Sequence, residues 1–256
     1  MMNMSDEWGL VLVGGGGKGS YQLGVMKALY ENDFFDSITA VSGCSVGAIN
    51  AALFSMGDIQ TANAVWGEIN PVMMLGIDYD LIDFKEGIVS RKPLIQLMDQ
   101  YLDMDIISTS DKKLYVNTSN FGKRDIGNAV ANYHLLNYQK PDTIKELILA
   151  STALPKIYEP VILGDEIHKD GGLTDNMPIK PIYDMGIRKI IVVELHQGRN
   201  IDYDAYPDTE FLFIEPSESL GDFVDGTLDF TQSGVKWRRE LGYYDTIKIL
   251  ERIKRQ

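Results

Sequence analysis

The segment GLVLVGGGGKGSYQLGVMKALYENDFFDSITAVSGCSVGAINAALF, residues 9–54, decides the fold. Leu10–Val13 is a short apolar run closed by Gly14–Gly17, which reads as a buried strand and a tight turn. From Tyr21 to Glu31 the apolar residues Leu23, Met26 and Leu29/Tyr30 recur at helical spacing. Ile38–Val41 is a second short strand. It runs through Ser42–Val46 into the alanine-rich stretch Gly47–Phe54, expected to be a buried helix. Strand, helix, strand and helix in this order imply parallel pairing with right-handed crossovers.

Outward from this core the alternation continues. Ile59, Ala62, Val65, Trp66 and Ile69 share a helical face, and Pro71 stops that helix. Pro93 suits a first helical position ahead of Leu94, Leu97, Met98, Tyr101 and Leu102. Leu114–Val116 reads as a strand. Asp142 can cap a helix carrying Ile144, Leu147 and Ile148, with Pro155 after its end. Ile190–Leu195 and Phe211–Ile214 are apolar, branched and short, as buried strands are. Val235–Lys254 reads as a final amphipathic helix. The fold class is α/β, with three layers (α/β/α) around a central, mostly parallel sheet.

The chain has 256 residues, of which 45% are hydrophobic, enough for a sizeable core. No linker-like or low-complexity run breaks it, so one domain over residues 6–256 is expected. The net charge of −13 argues against a nucleic-acid partner and against simple electrostatic docking on anionic membranes. Cys44 is the one cysteine, and the histidines His134, His168 and His196 are scattered, so neither a disulfide nor a zinc cluster is expected. No cofactor or metal is called for. The polar stretch Met1–Trp8 lacks a signal-peptide pattern and no run is long enough for a membrane helix, which makes a cytoplasmic location the expectation.

Three motifs stand where chemistry would need them. Gly14-Gly15-Gly16-Gly17-Lys18-Gly19 lies between a strand and a helix, where glycines allow close backbone approach and a helix N-terminus offers unpaired N–H groups. It suits an anion, either a pyrophosphate or a transient oxyanion; a plain tight turn needs only one or two glycines. Gly43-Cys44-Ser45-Val46-Gly47 is a Gly-x-Ser-x-Gly elbow with the required strand before it and helix after it. The dinucleotide reading is weakened because the strand Ile38–Val41 ends in Ser42-Gly43, without the carboxylate that would hold a ribose. Asp170-Gly171-Gly172 follows Pro160–Leu163 and a turn at Gly164-Asp165. Alone it is a turn; beside the other two motifs it supplies a base.

These residues resemble the patatin-like phospholipases. LVGGGGKGSYQLGVMKAL (from Leu12) is similar to their glycine-rich first block, and VSGCSVGAINAAL (from Val41) to their serine elbow. ASTALPKIYEPV, DGGLTDNMP and MGIRKIIVVEL together resemble their third block. The resemblance spans about Gly9 to Leu195 and implies an acyl hydrolase acting on phospholipids, lysophospholipids or related lipids through a Ser–Asp dyad. By position, Ser45 is the nucleophile, Asp170 the base, and the N–H groups of Gly15, Gly16, Gly17 and Lys18 the oxyanion hole. The family's usual arginine is Lys18 here, which preserves backbone donation but not a bidentate guanidinium. The implied partner is a lipid or other acyl-ester substrate, with transient membrane-surface contact.

Two rival readings stay open on the residues themselves. One is a triad of Ser45 with a histidine such as His196, which follows an apolar strand. The other is a nucleotide-binding protein that uses the Gly14–Gly19 loop and Lys18 for phosphate. Cys44 reads as a small buried neighbour of the elbow, His134 and His168 as structural, and Val72–Leu75 as core rather than a lipid-facing lip.

Overall fold

The computed structural model describes residues 7–75, 89–124, 127–198 and 201–254. The expected domain bounds, residues 6 and 256, and the N-terminal stretch up to Asp6 lie outside them. β1 (Trp8–Leu12), β2 (Ile38–Gly43) and β3 (Lys113–Asn120) run parallel with β7 (Lys189–Val193) and β8 (Glu210–Ile214). β4 (Val130–Leu135), β5 (Val161–Leu163) and β6 (Glu166–Asp170) are antiparallel to their neighbours. The order is β5-β6-β3-β2-β1-β7-β8, with β4 also on β3. β1 is buried along its whole length and β7 at every residue but Lys189, as strands of a sheet covered on both faces must be. The sheet is thus parallel at its centre and antiparallel at one edge.

β3 has only two edges, yet three strands pair with it. β4 covers Tyr115–Asn120 on one edge, so β2 (on Lys113–Val116) and β6 (on Thr118–Asn120) share the other, end to end. β2 stops at Gly43, and β6 takes over where it stops. The end of β2 and the end of β6 therefore face each other.

The helices are α1 (Ser20–Glu31), α2 (Val46–Ser55), α3 (Ile59–Glu68), α4 (Pro71–Leu75), α5 (Lys92–Tyr101), α6 (Met104–Thr109), α7 (Pro141–Ser151), α8 (Lys180–Asp184) and α9 (Gln232–Lys254). All ten residues of α2 are buried, which its apolar, alanine-rich sequence permits on every side. Pro71 begins α4 after α3 has closed at Glu68, so the break lies before it. Asp142 stands in the first turn of α7, not at its cap; Lys140 holds the cap position and Pro141 starts the helix. In α4, Val72 is exposed, Met73 packs on the core and Met74 is buried; the Leu75 side chain lies outside the described ones.

α9 departs from the simple amphipathic expectation. Its buried face carries Val235, Arg238, Gly242, Asp245, Thr246 and Leu250, while Trp237 and Tyr244 are exposed. Size explains this. α9 crosses α1 so closely that a Cβ on Gly24 would lie 1.9 Å from the Arg239 carbonyl oxygen, and one on Gly242 2.1 Å from that of Tyr21. Large apolar side chains have no room there. Gly24→Ala and Gly242→Ala should each destabilise the protein by about 2–3 kcal/mol, despite the roughly 1 kcal/mol that alanine favours helix. Urea unfolding checks this. The double variant should cost less than the two single variants together, because the first methyl group already separates the helices.

Candidate active site

Ser45 occupies the sharp turn between β2 and α2, with φ 54° and ψ −125°, a backbone conformation rare for a residue with a side chain. The residues two positions to either side must be glycine. A Cβ on Gly43 would lie 2.2 Å from the Gly47 carbonyl oxygen, and one on Gly47 2.1 Å from that of Leu12. The turn is held by the Cys44 N–H donating to the Leu12 carbonyl at 3.1 Å and by the Ser45 N–H donating to Ser151 Oγ at 3.0 Å.

Asp170 ends β6 and is 3% exposed. Ser45 Oγ donates to Asp170 Oδ2 at 2.6 Å, and the Gly172 N–H donates to Oδ1 at 2.8 Å. Burial raises the Asp170 carboxyl from 3.8 to about 6, and the two hydrogen bonds limit that rise. An unperturbed carboxylate base works below the ordinary histidine range. Burial raises this one, so a pH profile alone cannot separate the two kinds of base.

The glycine loop follows β1. Asn176 clamps its first residue: the Gly14 N–H donates to Asn176 Oδ1 and Asn176 Nδ2 donates to the Gly14 carbonyl, both at 3.2 Å. Beneath the loop, Gln22 Nε2 donates to the Val13 carbonyl at 2.7 Å and Asn50 Nδ2 to that of Gly19 at 3.0 Å. The N–H groups of Gly15, Gly16 and Gly17 have no acceptor among the described residues. The Lys18 N–H is engaged, donating to the Gly15 carbonyl at 3.2 Å. The Lys18 side chain is buried and burial depresses its pKa.

Gly14, Gly15, Gly16, Ser45 and Asp170 line one cavity of about 260 Å³, while Gly17 and Lys18 do not reach it. Its walls are mainly apolar, from Ile49, Met74, Leu94, Leu154, Ile157 and Phe230. Among the described residues no lysine, arginine or histidine lines it. Thr118 Oγ1 lies 2.8 Å from both His134 Nε2, on half-buried His134, and His168 Nδ1, on buried His168, and neither histidine lines the cavity. Burial lowers the His134 pKa to about 4. His196 is exposed. Burial also drives the Cys44 thiol well above its ordinary range, so it stays protonated.

The sequence motifs named most of this site. They did not single out Ser151, although it stands in the ASTALP block, or the stretch Thr227–Phe230, which carries no motif and still supplies cavity wall.

A family model described as patatin-like phospholipase matches residues 10–183. The chain belongs to the patatin-like phospholipase family. The chain is 27% identical over 259 residues to a protein named lysophospholipase nte1 of Aspergillus terreus, with 96% of this chain and 15% of the relative covered. It is 26% identical over 203 residues to lysophospholipase NTE1 of Cryptococcus neoformans var. neoformans, with 74% and 11% covered. The chain thus spans only a small part of these curated relatives.

Among solved structures, VipD from Legionella pneumophila superposes with a TM-score of 0.59 at 15% identity, covering 96% of this chain and 67% of that one. The type III effector ExoU gives 0.51 at 18% identity, covering 97% and 53%. These likenesses bear on the fold.

The raised carboxyl of Asp170 has a consequence for stability. The native state holds this proton more tightly than the unfolded chain, so the penalty for burying the group is absent below about pH 3.8 and grows as pH rises through about 6. Asp170→Asn should therefore gain on the wild type between pH 4 and pH 7, by up to about 3 kcal/mol. Chemical denaturation at pH 4.5 and 7.5 reads this; a flat or reversed difference would mean that the carboxylate is not desolvated.

Proposed function

We propose that this chain is a serine acyl hydrolase of lipids, a single catalytic unit in which Ser45 is the nucleophile and Asp170 its base. The observation that carries this reading is the 2.6 Å hydrogen bond from Ser45 Oγ to Asp170 Oδ2, set at an apolar cavity beside N–H groups that have no acceptor among the described residues. Ionised Asp170 takes the serine proton as Oγ attacks the ester carbonyl carbon. The oxyanion that forms is met by N–H groups of the glycine loop. Gly15 and Gly16 are the fitting donors, since both line the cavity and the Lys18 N–H is engaged elsewhere. Collapse breaks the ester bond, and the departing alcohol receives the proton held by Asp170. Water then attacks the acyl-serine with Asp170 again as base, which releases the fatty acid and restores Ser45.

The substrate follows from the walls. An apolar cavity suits one acyl chain, and the absence of lining cations among the described residues gives a phosphate no partner inside it. A monoacyl lipid, such as a lysophospholipid with its head group outside, fits this arrangement and agrees with the names of the curated relatives. The same lack of cations counts against nucleotide binding, and the placement of the three histidines counts against a Ser–His enzyme.

A panel of lysophospholipids, phospholipids, acylglycerols and aryl esters, with product analysis, tests the class. Ser45→Ala should abolish hydrolysis in a folded protein, Asp170→Asn should remove nearly all of it, and Cys44→Ala should keep most. With His134, His168 and His196 all replaced, turnover should stay within about an order of magnitude of wild type. Loss of activity on removing one histidine, with Asp170→Asn still active, would move the mechanism to a Ser–His pair.

Gly16 combines φ +57° with a Cβ position 2.2 Å from the Thr227 carbonyl oxygen. Gly16→Ala should accordingly lower kcat more than it raises KM, because the displaced backbone serves the transition state. A raised KM at unchanged kcat would make the loop a substrate-binding element instead.

A further inference from the structure

The family match ends at residue 183, yet part of the cavity wall lies far beyond it. Thr227, Leu228 and Phe230 line the cavity, and they belong to a segment with one π-helical turn, Phe223–Thr227. This segment presses on the glycine loop: a Cβ on Gly16 would lie 2.2 Å from the Thr227 carbonyl oxygen, and one on Gly17 2.1 Å from that of Asp229. Two backbones in such contact cannot move independently.

One side chain ties the segment down. Arg238 of α9 is 1% exposed, and its guanidinium is spent on this stretch. Nε donates to the Leu220 carbonyl at 3.2 Å and Nη1 to the Asp229 carbonyl at 3.1 Å. Nη2 donates to the Asp225 carbonyl at 2.8 Å and to Asp229 Oδ2 at 2.7 Å. A buried cation is costly, and a planar fork that satisfies three main-chain carbonyls and a carboxylate fixes the loop's shape as no apolar residue would. α9 is itself locked to α1 by the Gly24–Gly242 crossing and by Tyr21 Oη donating to Asp245 Oδ2 at 3.2 Å. Since α1 follows the glycine loop directly, the loop is held from both ends of one rigid path.

We propose that Arg238 is a positioning residue of the site: it holds Leu220–Phe230 as a roof on the glycine loop, and so sets both the acyl-cavity wall and the placement of the Gly15 and Gly16 N–H groups. The kinetic part of this proposal rests on the reading of Ser45 and the loop given above.

Arg238→Gln and Arg238→Lys test it, the lysine because a point charge keeps the pairing with Asp229 but cannot serve the three carbonyls. In folded protein well below its melting temperature, kcat for an acetyl aryl ester should fall about tenfold, from looser oxyanion donors. For a decanoyl ester kcat/KM should fall about tenfold further, from the lost wall. Hydrogen–deuterium exchange should speed up in peptides covering Gly14–Ser20 as well as in the roof. Folded variants with wild-type kcat, chain-length profile and glycine-loop exchange would overturn the proposal, since a merely structural arginine would lower only the melting temperature.

Should both arginine variants fail to fold, Gly226→Ala displaces the roof from its own side, where a methyl group would lie 2.5 Å from Lys18 Cε and 2.7 Å from the Gly221 carbonyl carbon. It should give the same pattern, and wild-type behaviour there would refute the roof. A wild-type protein without Ser45-dependent hydrolysis would refute the reading of Ser45 instead, and the exchange measurement would then decide the roof alone.

Discussion

The hydrogen bond between Ser45 and Asp170 joins residues 125 apart in sequence, and the architecture is arranged so that it can form. β2 and β6 share one edge of β3, and the two residues sit where the first strand stops and the second takes over. An antiparallel strand at that position ends where a parallel strand ends, which a purely parallel sheet could not achieve without another crossover. The antiparallel edge of the sheet is thus the device that delivers a carboxylate to the serine elbow. The elbow in turn tolerates no side chain at Gly43 or Gly47, and its backbone conformation is imposed by α2 packing against β1.

The same junction accounts for the electrostatics. Asp170 is buried beside an apolar cavity, which keeps its carboxyl near neutrality and makes its anion a competent proton acceptor once ionised. Cys44, one residue from the elbow apex, is silenced by the same burial. Desolvation therefore acts in opposite ways on two neighbours: it strengthens a base and disables a thiol.

Much of this was legible in the residues because it rests on short-range steric rules. Glycine at 16, 17, 43 and 47 is demanded by close backbone contacts, and apolar runs such as Leu10–Val13 and Ile190–Leu195 read as buried strands. What depends on long-range partners was not legible. β4, with Val130 through Leu135, carries polar residues on a partly exposed edge and has no strong strand signature. Between Val235 and Leu250 the inward face of α9 is built from arginine, glycine, aspartate and threonine, so hydrophobic periodicity marks it poorly. Lys18, placed in the oxyanion hole by analogy, turns its N–H to Gly15 because the loop winds into a short 3₁₀ turn. Motifs mark the bottom of the site; the roof over it is written only in three dimensions.

The central claim is that Ser45 is activated by Asp170 without a histidine. It is tested most directly by covalent labelling with an alkyl fluorophosphonate of the wild type, of Asp170→Asn and of the variant with His134, His168 and His196 all replaced, followed by intact mass and peptide mapping. The account predicts a single adduct on Ser45, formed in the variant without histidines at a rate within about an order of magnitude of wild type and lost in Asp170→Asn. An adduct on another residue, loss of labelling in the variant without histidines, or labelling of Ser45 that persists undiminished in Asp170→Asn would contradict it.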